Sequence, residues 1–291
     1  MTDLLGGALA RIPYLRRMTW RAGRFLYTRA RREQIDTDID SDGERYLQRC
    51  VLHHAGGKAD PVVILDVGAN QGDWTAALLS QAHSGGASPP TLRIECFEPV
   101  PTTRERLTST LSRLDPAGWC RVQPFALSDV AGRTRMAIMS DTGGTNSLHF
   151  EDADGMPPGG WVDVETRTLA EFCTSAEIDH VHLLKCDAEG HDFRVINGAR
   201  DLLAAGRIDV LQFEYNHRWI HSRTYLKDVF DLIKGLPYRC GRLEPASIEV
   251  FDTWHPELDR FFQSNYVLLS DKALSWFNTL SGSFDSSNTY A

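Results

Sequence analysis

Apolar runs at residues 62–67, 92–97, 180–186 and 208–213 are separated by amphipathic stretches, and this spacing restricts the fold more than any other feature. Each run is continuous rather than alternating, so each strand has to be covered on both faces. Helix-sized segments at 101–114, 191–205 and 224–234, with a helix ending over 75–81, supply the cover. A further strand fits 121–125, a hairpin-like pair fits 134–139 and 162–166, and final strands fit 248–251 and 266–269. The pattern is that of an α/β, doubly wound, mostly parallel sheet. Ligands of such sheets bind beyond the carboxyl ends of the strands, where strand order reverses, so the strand ends are the places to look for chemistry.

The first strand runs through VILDVGANQGDWT (residues 63–75) into a turn. The Gly-x-x-x-Gly spacing of Gly68 and Gly72 is neither the Gly-x-Gly-x-x-Gly of a dinucleotide fold nor a phosphate loop, which ends in Gly-Lys-Ser/Thr. Asp66 closes the strand. Gly68, Asn70 and Gly72 shape a turn whose amides, at the start of a helix, can hold a small anion such as a carboxylate. The second strand ends at Glu98 and Pro99, and a carboxylate there can accept hydrogen bonds from both hydroxyls of a ribose. The third ends at Ala126, Leu127 and Ser128, placed to border an adenine. A carboxylate loop followed by a ribose-binding acid suits a nucleoside joined to an amino acid, and S-adenosylmethionine is that molecule.

The fourth run continues as LKCDAEGHD (residues 184–192), which sets Lys185, Asp187 and Glu189 on one side of an extended segment. Here the sequence resembles the FkbM family of S-adenosylmethionine-dependent methyltransferases. The family's D-V-G-A-N-x-G is matched at 66–72 and its F-E-P at 97–99. Its K-x-D-x-E-G segment with a following acid is matched at 185–192, its V-x-x-G-A helix at 195–199, and its acid ending the next strand by Glu214. Asp192 stands where the family commonly has Glu. The resemblance implies a Rossmann-like class I methyltransferase with a seven-stranded sheet, placed at 59–280; residues 1–58, which match no family pattern, read as an arginine-rich helical extension before it. It also implies methyl transfer, most often to a hydroxyl of a sugar, glycolipid or polyketide-type product. An alcohol has to lose its proton; the catalytic set is Asp187, Glu189, Glu214 and His217, with His191 a further base candidate. Asp187 also borders the cofactor, and Asp187 with Glu214 could hold Mg²⁺, which takes hard oxygen ligands. Tyr215 and Trp219, interleaved with Arg218, could offer a face to a sugar ring. N-methylation, which needs no strong base, and a cofactor-binding module without catalysis are the alternatives.

Charge is unevenly distributed. The chain carries −8, yet residues 1–32 hold eight arginines and one acid, Asp3, leaving about −15 on the remainder. An acidic body speaks against nucleic acid as a partner, which agrees with the small-molecule or glycolipid acceptor that the resemblance implies. On a helical wheel Ile12, Leu15, Met18, Ala22, Phe25 and Leu26 share one face, and Arg16, Arg17, Arg21 and Arg24 lie on the other. Such a helix either packs on the body as a wall of the cleft or docks on anionic lipid. Six cysteines, none in a Cys-x-x-Cys pair, fit a reducing cytoplasm without structural zinc. With no membrane-length apolar run and no signal core, the expected location is cytoplasmic, with peripheral membrane contact through the amino-terminal helix. The Ser- and Asn-rich segment 281–291 reads as a disordered tail.

Overall fold

The expected strands lie side by side in the computed structural model, which describes residues 13–33, 38–55, 61–84, 91–140, 144–150, 156–287 and 289–290. At the centre β1 (Val62–Val67) pairs in parallel with β2 (Leu92–Phe97) and, on its other edge, with β7 (Val181–Cys186). Outside these lie β3 (Cys120–Gln123) beside β2 and β8 (Ile208–Tyr215) beside β7, both parallel. Strand order reverses between β1 and β7, so ligand chemistry is expected where these two end.

Alternate side chains of each strand enter opposite cores, as continuous apolar strands require. Leu65, Val67, Leu184, Cys186, Leu211 and Phe213 belong to one cluster, covered by α6 (Asp192–Gly198) and α9 (Leu226–Ile233). Ile64, Leu183 and Val210 belong to the other, packed with α2 (Glu44–Ala55) and α3 (Asp73–Ser84). Beyond β2, α4 (Pro101–Leu114) starts with Pro at its first position, where the missing N–H costs nothing, and buries Leu107 and Leu111.

The sheet has nine strands rather than seven, in the order β12-β10-β9-β11-β8-β7-β1-β2-β3. Antiparallel β11 (Ser264–Ser270) follows β8, then β9 (Tyr238–Glu244), β10 (Ser247–Phe251) and β12 (Thr279–Gly282). β9 escapes a reading of hydropathy because Arg242 lies at its centre. That guanidinium is only 1 % exposed and is neutralised by Glu33 at 3.1 Å and Glu249 at 2.5 Å. β12 pairs in parallel with β10 and carries the sheet into the segment expected to be disordered. The reason is an apolar anchor in a polar tail: Phe284 stacks on Phe251 and on His255.

Two other boundaries differ. β3 stops at Gln123 instead of 125, and the chain crosses into a second sheet of β4 (Ala126–Leu127), β6 (Trp161–Arg167) and β5 (Gly132–Ala137). The anticipated hairpin-like pair is present there, with Thr134 opposite Val164. The helix anticipated over 191–205 breaks at Ala199 into α6 and α7 (Arg200–Ala204). A β-carbon at Gly198 would meet the Ser128 carbonyl oxygen at 2.1 Å, so glycine lets this helix close on the turn after β4.

The amino-terminal region is two different things. α2 buries Leu47 and Val51 completely and belongs to the body. α1 (Pro13–Ala30) buries only Thr28, although the chain just past it is locked in: Arg31, 4 % exposed, pairs with Glu33 and Glu257. The arginine segment is therefore buried only at its carboxyl end, through ion pairs. The six cysteines are free thiols. No described helix is long and apolar enough to cross a membrane.

Candidate active site

The ends of β1, β2 and β4 and the turn after β7 enclose a narrow cleft. Its walls include Gly68, Asn70, Glu98, Pro99, Ala126, Leu127, Asp187 and Glu189. Gly68, at φ +74°, has to be glycine because a β-carbon would lie 1.9 Å from the Asp187 carbonyl oxygen; the two strand ends meet there with no room for a side chain. Three amides of the turn itself are already engaged. Gly68 and Ala69 both donate to the Phe97 carbonyl, at 3.2 and 3.1 Å, and Gly72 donates to Ala69 at 2.8 Å. What faces the cleft instead is the Asn70 side chain, whose buried Oδ1 has no hydrogen-bond partner among the described residues.

Of the other residues anticipated for the cofactor, three stand back from the cleft. Asp66 is fully buried; it accepts from Thr75 Oγ1 at 2.6 Å and lies 3.5 Å from the Lys185 ammonium. Gly72, at φ +94°, sits against Leu107. Ser128 gives its amide to Arg167 and holds His191 Nε2 at 3.0 Å, so it supports the wall from behind. Glu98 lines the cleft at 6 % exposure, and burial pushes its pKa from 4.5 up to about 7, against bonds from the amides of Val100 and Asn70. Met136, Gly144, Asn146, Leu148 and His191 form the opposite wall. The sequence flagged the strand carrying Met136 and the glycine-rich loop but not their place over the cleft, because a loop's landing site depends on the sheet beneath it.

Asp187 and Glu214 lie one residue past the paired Cys186 and Phe213, hence opposite each other on adjacent strands. Carboxylate oxygens of Asp187, Glu189 and Glu214 come within 4.8 Å of one another. Such a cluster needs positive charge. Lys185 Nζ is 3.3 Å from Asp187, and Arg218 pairs with Glu189. Burial works against the charge on Lys185, but Asp187, Asp66 and Glu44 outweigh it and hold the ammonium protonated. Burial, and then Asp187 and Asp192, push Glu214 well above the usual carboxylate range, while Gln263 at 2.8 Å and Asn216 at 2.6 Å each donate to one of its oxygens. Glu44, from α2, is a member that the sequence did not suggest. It bonds Gln212, and burial followed by the Asp42 charge takes its pKa to about 8.

Asp192 holds the turn in shape. Its two oxygens accept from the amides of Ala188 and Gly190, each at 3.1 Å, which fixes Glu189 at a left-handed φ of +53°. The shorter acid is thus a strut here. His191 is unsuited to act as a base: its ring nitrogens are engaged by Ser128 and by His149 at 2.9 Å, and burial lowers its pKa to about 3. His217 does not line this cleft; it is exposed and borders two outer cavities. Tyr215 and Trp219 are 1 % and 0 % exposed, packed on each other in the core, so they offer no face to a sugar.

Comparison with known proteins places this geometry in context. The 2-O-methyltransferase NoeI of Sinorhizobium fredii is 26 % identical over 188 residues, 60 % of this chain and 72 % of that protein. The hexuronic acid methyltransferase AglP of Haloferax volcanii is 25 % identical over 223 residues, 77 % of this chain and 80 % of that one. The 31-O-demethyl-FK506 methyltransferase FkbM of Streptomyces tacrolimicus is 28 % identical over 183 residues, 54 % and 67 % respectively. The match to the methyltransferase FkbM domain runs from residue 66 to 240, from Asp66 near the end of β1 through the cleft and the carboxylate cluster into β9, and the chain belongs to that family.

Proposed function

We propose that this enzyme methylates a hydroxyl of a sugar- or polyketide-type acceptor, using S-adenosylmethionine. The observation that carries the reading is the pairing of Asp187 and Glu214 across β7 and β8 beside a cleft that also presents Glu98. The relatives' names, a 2-O-methyltransferase, a hexuronic acid methyltransferase and a 31-O-demethyl-FK506 methyltransferase, support oxygen as the target.

S-adenosylmethionine, when bound, supplies a methyl group on a positively charged sulfur. The lining suits it: Glu98 can accept from two ribose hydroxyls, Leu127, Met136 and Leu148 can cover an adenine, and the unpartnered Asn70 carbonyl can receive an ammonium. The cleft is narrow, with about 90 Å³ of free space. The protein's main contribution is alignment of the acceptor oxygen with the methyl group, worth up to about 7 to 11 kcal/mol. Asp187, half-exposed at the mouth, takes the hydroxyl proton, and Glu214 behind it, held by Gln263 and Asn216, sets the local charge. Lys185 keeps the pair from repelling.

N-methylation would leave three converging carboxylates without a task, since a neutral amine is already nucleophilic. Magnesium is a second version of the same site, supported by the oxygen-only donor set of Asp187, Glu189 and Glu214. There it would acidify the hydroxyl in place of a direct base. The test is transfer of a labelled methyl group to a panel of uronic acids, neutral sugars and polyketides, with and without EDTA. Transfer to amines alone would overturn the reading; activity lost to EDTA and restored by Mg²⁺ would decide for the metal.

A further inference from the structure

α1 is amphipathic, and its apolar side faces away from the protein. Met18 is 51 % exposed, Phe25 56 % and Leu26 66 %, and Tyr14 and Leu15 share that side. No residue from Pro13 to Tyr27 is buried; the helix is tied down at its carboxyl end, by Tyr27 and Arg31 on Glu257. Its other side, with Arg16, Trp20 and Arg24, walls a cleft of about 980 Å³ closed on the body by His217, Arg260 and Phe262. The helix carries five arginines and no acid. Exposed apolar stripes of this kind mark an interaction surface, and charge selects the partner. A second copy meeting this face would bring another helix of five arginines and no acid, like charge against like, whereas an anionic bilayer offers apolar depth below and negative charge to the arginines. The acidic remainder of the chain, about −15, would be repelled by that surface, which orients the molecule with α1 against it.

We propose that α1 lies in the surface of an anionic bilayer, apolar side down, and that the arginine-walled cleft above it receives the anionic head of an acceptor drawn from that bilayer. The cleft leads toward the chemistry. His217 borders both it and a second cavity lined by Ser147, His149 and Arg218. Ser147 bonds the Glu189 carbonyl at 2.9 Å, and Arg218 pairs with the Glu189 carboxylate. The role of the cleft rests on the methyl-transfer reading; the membrane contact stands without it.

The test is sedimentation of the full chain with vesicles of phosphatidylcholine, with and without phosphatidylglycerol, alongside calorimetry with S-adenosylmethionine. The wild-type chain should sediment only with the anionic vesicles and come off at high salt. Met18→Asp with Phe25→Asp should abolish sedimentation while leaving cofactor affinity unchanged. Each arginine neutralised should weaken vesicle binding by about fivefold. For the cleft, the probe is monomeric dihexanoyl phosphatidic acid: the wild type should bind it, and Arg16→Glu with Arg24→Glu should weaken binding on the order of tenfold or more. Wild-type protein that ignores anionic vesicles, or a dimer that Phe25→Asp dissolves, would overturn the membrane contact. Unchanged phosphatidic acid affinity in the double arginine variant would overturn the cleft assignment. A chain that binds vesicles but not S-adenosylmethionine would instead sink the methyl-transfer reading and leave the membrane contact in place.

Discussion

The two clefts of this molecule are built in opposite ways. The inner one is made of strand ends and backbone turns with little spare volume, its Glu98 is buried and Asp187, Glu189 and Glu214 are partly so, and the amides of Gly68, Ala69 and Gly72 are already bonded to backbone carbonyls. The outer one is wide, and one wall is a helix held at a single end, by Tyr27 and Arg31 on the buried Glu257. Rigid surroundings keep reacting groups in register, which methyl transfer needs, whereas a loosely held wall can admit an acceptor with a bulky remainder. The inner cleft should therefore respond sharply to single atoms, and the outer one only to changes of charge or of a whole face.

The sharpest test of that contrast is Asp187→Asn, which keeps shape and removes the charge. Turnover should fall about 10²- to 10⁴-fold while cofactor affinity survives; near-normal turnover in both Asp187→Asn and Glu214→Gln would remove the carboxylate pair from the chemistry. Gly68→Ala comes next. Its β-carbon cannot share space with the Asp187 carbonyl, so urea unfolding should show a loss of about 2 to 5 kcal/mol. Glu98→Ala should weaken S-adenosylmethionine binding by about 1.5 to 3 kcal/mol through two lost charge-assisted bonds. Calorimetry showing no change would place the ribose elsewhere.

The same carboxyl sets a pH dependence. Its folded pKa of about 7 lies above its ordinary 4.5, and only the ionised form accepts from both hydroxyls. Cofactor affinity should be constant above about pH 7 and fall as pH drops below it, by at most about tenfold per unit; Glu98→Gln should flatten the profile. The smallest effect belongs to the outer cleft. Removing residues 1–26 spares Tyr27, Arg31 and Glu33, so stability should change by no more than about 0.5 kcal/mol and cofactor affinity not at all, while turnover on a lipid-borne acceptor falls. A truncated chain that no longer folds would show that α1 belongs to the rigid part after all.

The central strands, the hairpin-like pair, and the order Asp66, Glu98, Asp187, Glu214 along successive strand ends were legible in the residues, because burial on both faces and position at a strand end are local properties of the chain. β9 was not legible, since Arg242 is tolerable in its middle only with Glu33 and Glu249 brought from 209 residues before and 7 after. Glu44 and the wall of Met136, Gly144, Asn146 and Leu148 were hidden for the same reason: each reaches the site across a distance in sequence that no local pattern records. The commitment of the Gly68 and Ala69 amides to Phe97 likewise depends on how closely β1 and β2 end together. The amphipathic helices show the division most plainly. Periodicity marks an apolar face on α1, and α2 buries its own against α3, but periodicity is blind to direction. Packing turned the apolar face of α2 inward and left that of α1 outside, because the helix end at Arg31 and Glu33 is captured by buried partners that fix its rotation over the cleft.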